Sequence, residues 1–241
     1  MFGHLVAALV AFGWSIRYQR TFDVSVGEYT RYWLKSINLA LCYRGFSDNC
    51  EARSLIGAGK AAFFCCAFDV ITDWRNFDPV LYKRFEFLAK QSLTAEQAEL
   101  ATGLYWQEKE GELKENGLSR GTTALHFVTK IMGSESAIRQ KTDFNHLGIV
   151  MQIVDDVIDV EDDRRDHKTN CLFSSKRNDY LAILAEFPVG QMKTLMPNGC
   201  VLWKIVGVAQ QKAQQLLRLH SHQLVSEPSV NIDCRPYHNI T

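Results

Sequence analysis

The segment Gln152–Asp163, Gln-Ile-Val-Asp-Asp-Val-Ile-Asp-Val-Glu-Asp-Asp, sets carboxylates into an otherwise apolar stretch at helical spacing. At about 100° per residue, with Asp155 as the origin, Asp159 falls at about 40°, Gln152 at about 60°, Asp163 at about 80° and Asp156 at about 100°. Ile149, Val150, Ile153, Val154, Val157, Ile158 and Val160 fill the arc from about 120° to about 300°. A surface helix does not carry so broad an apolar arc, and a core does not tolerate an unpaired acid stripe. The spacing therefore predicts a buried helix whose acidic face lines a wet, cation-holding cavity. Carboxylate oxygens on successive turns are hard ligands, suited to Mg²⁺ or Mn²⁺ rather than zinc. Mg²⁺ keeps several waters and borrows oxygens from a substrate phosphate, so a few carboxylates suffice. Arg164-Arg165-Asp166-His167-Lys168 follow directly. Acids and then cations fit a metal-bridged diphosphate gripped from both sides. The plainer alternative is a solvated acidic helix end followed by a charged loop; the apolar arc argues against it. A calcium loop needs a mid-loop glycine, and none lies between Asp155 and Lys168.

Upstream, Phe63-Phe64-Cys65-Cys66-Ala67-Phe68-Asp69-Val70-Ile71-Thr72-Asp73-Trp74 places Asp69 and Asp73 four residues apart in another apolar helix. Such a pair is common by itself. Together with the first stripe it predicts two facing helices that present carboxylates to shared metals, as helical bundles do.

With both stripes in view, the chain resembles the isoprenoid synthase superfamily, the trans-prenyl diphosphate synthases and class I terpene cyclases. Gly148-Ile-Val-Met-Gln152-Ile-Val-Asp155-Asp156-Val-Ile-Asp159 is similar to the family's second aspartate-rich motif, and Asp69–Asp73 in part to its first. Asp155, Asp159 and Asp163 also have the spacing of the metal triad of terpene cyclases. The resemblance covers roughly residues 55–175 and implies an all-α, single-domain bundle over 1–241 with a central cavity. It also implies three Mg²⁺ ions and a prenyl diphosphate substrate. On this reading Asp69 and Asp73 hold two ions, and Asp155, Asp159 and Asp163, with Asp156 beside them, hold the third. Arg120 and Lys168 match diphosphate contacts of the family, joined by Arg164 or Arg165. Arg235-Pro236-Tyr237 resembles a C-terminal Arg-Tyr pair that closes over the diphosphate, making 227–241 a tail or lid. Phe64, Phe68 and Trp74 are candidate cavity aromatics, since rings stabilise carbocations by cation–π attraction.

The departures select a subtype. The Gly-Lys-x-x-Arg motif and the Arg-Arg pair that bind isopentenyl diphosphate in chain-elongating members are missing; only Arg75 follows Trp74. The family's Lys-Thr pair falls at Gly121-Thr122, without its lysine. Holding one diphosphate but not the second substrate implies a cyclase acting on a C15 or C20 allylic diphosphate. The rivals are a prenyl diphosphate synthase, a transferase to another acceptor and a catalytically silent regulatory subunit, the last favoured by the incomplete first motif.

The chain of 241 residues is long enough for one well-cored domain. Lys+Arg and Asp+Glu are equal at 27 each, which argues against a nucleic-acid partner. The seven cysteines lack paired zinc-ligand spacing and read as reduced thiols of a cytoplasmic protein. The apolar N-terminus, 1–20, reads as a first core helix rather than a stable membrane insertion, and a homodimer fits the superfamily. Helices are expected over 28–41, 52–74, 79–90, 94–114, 122–132, 136–163, 176–186 and 201–225. Thr94 and Gln97 form a capping-box pattern.

Overall fold

The computed structural model describes residues 2–47, 51–111, 118–166, 168 and 170–226, without the side chains of 73, 74, 108, 110, 111 and 220–226. Among the described residues the regular structure is helical, with no strand. The helices are α1 Phe2–Tyr18, α2 Val26–Tyr43, α3 Ala52–Asp69, α4 Pro79–Ser92, α5 Ala95–Gly111, α6 Leu118–Met132, α7 Glu135–Arg139, α8 Phe144–Arg165, α9 Arg177–Glu186, α10 Val189–Leu195 and α11 Cys200–Ser226. The all-α class expected from the sequence is the one observed.

Local chemistry fixes the element ends. Ser25 and Glu28 close a capping box at the start of α2. The expected box before α5 also forms, Thr94 N–H donating to Gln97 and Gln97 N–H to Thr94 Oγ1. Pro79 enters α4 behind Asp78, whose carboxylate accepts from Val80 and Leu81 N–H. The long helix expected over 136–163 is instead two. Asp143 caps α8 by accepting from Asn145 and His146 N–H, and that separates it from α7. The expected helix over 52–74 changes to a π-helical turn at Val70–Trp74. α6 begins at Leu118 rather than at residue 122, and α10 lies inside the stretch read as a connection.

Packing links α2 to α3, α3 to α6, α6 to α8, α8 to α11 and α11 back to α2, which closes a ring. The two acidic helices α3 and α8 stand on different sides of it, separated by α6 one way and by α2 and α11 the other. α3 is apolar enough over Ala52–Thr72 to cross a membrane by length and composition, and most of that stretch is buried inside the protein. α1 packs on α2 and α3 through Gly3, Ala7, Ala11 and Ser15. Its opposite face leaves Phe2, Leu5, Leu9 and Ile16 exposed.

The α6–α8 crossing is unusually close. A Cβ on Gly121 would collide with Gly148 O, and one on Gly148 would stand 2.5 Å from Thr122 Cα. Both glycines let two backbones touch. That contact explains why glycine stands at both positions, one of them four residues before Gln152 at the head of the acidic segment.

Candidate functional site: two acidic helices around a lysine

Asp69 ends α3, where the π-helical turn begins; such turns recur at functional sites. Its Oδ2 lies 2.6 Å from Lys35 Nζ on α2. The Asp69 charge, its largest cause, raises the Lys35 ammonium above its ordinary value against the pull of burial, and Asp155 on α8 adds to the effect. Lys35 in turn favours ionisation of both Asp155 and Asp159. One ammonium therefore joins the two acidic motifs, which are about ninety residues apart in the chain.

Along α8 the acidic arc divides. Asp155 and Asp159 are open to solvent, Asp163 is half-buried, and Gln152 and Asp156 are buried. Asp155 is reached by water yet crowded by protein atoms. Burial pushes its carboxyl up to about 7, with Asp156 and Asp159 adding and Lys35 and Arg120 opposing. Asp159 and Asp163 are raised by burial too, opposed at Asp159 by Lys35 and at Asp163 by an Asn170 hydrogen bond, with Lys168 helping at both. Such a cluster favours an added cation.

Asp156, a candidate ligand from its place in the motif, spends its oxygens on the protein. Oδ1 accepts from Gln152 Nε2 at 2.9 Å, and Oδ2 from Cys171 N–H at 2.9 Å. Gln152 Oε1 accepts from Arg120 Nε at 3.1 Å. Asn170 Nδ2 donates to Asp156 O at 2.7 Å and Asp163 Oδ2 at 2.8 Å, while Asn170 Oδ1 caps the short 3₁₀ turn Cys171–Phe173. This network ties α6, α8 and the following segment together and sets the position of Arg120. Asn170→Ala should cost about 2 kcal/mol, because it orphans the turn's Leu172 N–H and removes the hydrogen bonds to Asp156 O and Asp163 Oδ2. Urea unfolding of the variant measures it, and an unchanged midpoint would remove Asn170 from the scaffold.

The candidate cations do not all gather here. Arg120 and Lys168 act on the acidic face. Because α8 continues through Arg165, Arg164 and Arg165 turn to about 180° and about 280° from Asp155. Arg164 pairs with Glu161 at 3.3 Å and covers the Phe173 ring, and Arg165 pairs with Asp162 at 2.8 Å. Neither is brought to the acidic face. Phe64 is fully buried against Phe63, Phe85 and Phe127, and Phe68 is half-buried beside Asp69. The Asp73 and Trp74 side chains, Arg235 and Tyr237 lie outside the described residues.

Lys35 and Asn170 are the site residues that motif reading missed. Lys35 carries a signal in the sequence: it lacks an acid at three or four residues' distance, with Arg31, Tyr32, Asn38 and Leu39 there instead. Its partner had to be distant. Asn170 carries no comparable signal. The neighbouring thiols are passive: Cys66 donates to Tyr32 O, and burial pushes Cys65 up to about 12. An open groove of about 430 Å³, lined by Glu96, Glu99, Gly103 and His126, runs between α5 and α6, away from the acidic face. The acidic face, with its converging charges, is the better candidate.

Comparison with protein-family models, with curated proteins and with solved structures finds no match to this chain.

Proposed function

We propose that this chain is a class I terpene synthase of the isoprenoid synthase type, which ionises an allylic prenyl diphosphate with Mg²⁺ and cyclises the carbocation. The observation that carries this reading is Lys35, paired with Asp69 of α3 at 2.6 Å and within electrostatic reach of Asp155 and Asp159 of α8.

The donor set suits Mg²⁺ in chemistry: open carboxylates one turn apart, with no sulfur or imidazole among them. Among the described residues no three His, Cys, Asp or Glu side chains form a ready-made metal group. Asp69, Asp155 and Asp159 are the carboxylates that would hold the metal, with water and diphosphate oxygens completing its shell. When bound, the metal supplies Lewis acidity to the departing diphosphate. Arg120 and Lys168 donate to its oxygens as the allylic C–O bond lengthens and negative charge accumulates there. Gln152 and Asp156 position Arg120 rather than touch substrate, and Asn170 braces Asp163. The closely packed rings around Phe64 exclude water, which would otherwise quench the cation as an alcohol. They must part to admit the hydrocarbon chain.

Diphosphate release from farnesyl and geranylgeranyl diphosphates tests the reading. Release that needs Mg²⁺ and stops with chelator is expected; equal release in chelator would rule out the metal-dependent mechanism. The Lys35–Asp69 pair favours a second reading, a catalytically silent partner of an active synthase, because an internal cation already pairs with Asp69. That protein would release nothing from either substrate.

A further inference from the structure

Lys35 has no part in the mechanism above, yet it occupies the centre of the charge cluster. It projects from α2 between fully buried Tyr32 and Ser36. Its Nζ is 2.6 Å from Asp69 Oδ2, and it lies within electrostatic reach of Asp155 and Asp159. Arg120 acts on Asp155, and Lys168 on Asp159 and Asp163, all within α8; Lys35 is a cation that both motifs share. The ammonium therefore occupies the Asp69 oxygen that a metal at this carboxylate would need.

We propose that Lys35 is a built-in counter-cation that divalent metal must displace from Asp69, so that metal and diphosphate load together. This inference rests on the metal–diphosphate reading of the site. Its physical basis is charge conservation in a crowded setting. With Lys35 in place, Asp69 is satisfied, and the remaining carboxylates attract a metal less than an uncompensated cluster would. Pulling the ammonium off Asp69 leaves a partly enclosed cation without its partner, which is costly unless another anion takes over. A diphosphate oxygen supplies that anion. Metal alone must therefore bind weakly, and metal with diphosphate much more tightly. The device would keep the acidic cluster from holding a metal without substrate.

Mn²⁺ binding to the full chain, followed by paramagnetic resonance with and without inorganic pyrophosphate, reads this out independently of turnover. The wild-type protein is expected to bind Mn²⁺ weakly alone and more tightly with pyrophosphate. Lys35→Met should bind Mn²⁺ alone at least about tenfold more tightly than wild type, since the competing charge is gone, and should lose most of the pyrophosphate enhancement. Lys35→Arg keeps the charge and should retain weak binding. Lys35→Gln, whose amide still donates to Asp69, should change in the same direction as Lys35→Met and serves if that variant fails to fold. Wild type that takes Mn²⁺ with pyrophosphate, alongside Lys35→Met and Lys35→Gln variants that match it, would overturn the role of Lys35 and leave the site reading standing. No Mn²⁺ on any of these proteins, with or without pyrophosphate, would overturn both.

Discussion

Asp155→Asn is expected to lower Mg²⁺-dependent diphosphate release by about 10³-fold while leaving the fold intact. The substitution keeps the shape of the side chain and removes its charge at the point where the acidic face meets Lys35 and Arg120. Loss of release in a folded protein is the outcome to measure; near-wild-type release would take Asp155 out of the mechanism. The same variant should be more stable than wild type without metal. Burial holds the Asp155 carboxyl at about 7 against an ordinary 3.8. Between those values the folded protein binds the proton more than the unfolded chain does. The contribution of this group to stability is therefore most favourable below the ordinary value and declines as pH rises to about 7. Allowing for screening of this solvent-reached group, asparagine should recover about 1 kcal/mol at neutral pH. Urea unfolding with chelator at about pH 5 and about pH 8 should show a smaller decline for Asp155→Asn than for wild type. Some decline should persist, because Asp159 and Asp163 are raised in the same direction.

The second large effect lies in the scaffold. Gly121→Val should cost about 3 kcal/mol or more, because its side chain must push α6 away from the Gly148 backbone. A displaced α6 breaks the Arg120–Gln152 hydrogen bond and moves a diphosphate donor away from the acidic face. Gly121→Ala should act in the same direction with a smaller magnitude. Gly103→Ala on α5 is the control: a Cβ there meets nothing within 4 Å, so alanine should be neutral or stabilising by up to about 1 kcal/mol. Thermal unfolding of the three variants measures the order, and a Gly121→Val protein as stable as Gly103→Ala would contradict the close crossing.

The helical period made the α8 stripe legible, because acids and apolar residues in one segment report directly on faces. The capping pair at Thr94 and Gln97 was legible for a similar reason: both partners lie within one turn. The split of the acidic arc was not. Whether Asp156 meets a metal or the backbone N–H of Cys171 depends on how a later segment folds back over α8. Nearness in sequence also misled over Arg164 and Arg165, which a continuing helix carries off the acidic face to pair with Glu161 and Asp162. The start of α8 depended on recognising Asp143 as a cap. Lys35 announced itself only as a charge without a local partner, and its partner became identifiable once α2 was seen to pack beside α3.

The most direct measurement is gas chromatography–mass spectrometry of the products formed by the pure full chain with Mg²⁺ and C10, C15 or C20 allylic diphosphates, each with and without isopentenyl diphosphate. A cyclic hydrocarbon or alcohol from a C15 or C20 substrate alone is the predicted result. A longer diphosphate that forms only with isopentenyl diphosphate, or no product under any of these conditions, would contradict it.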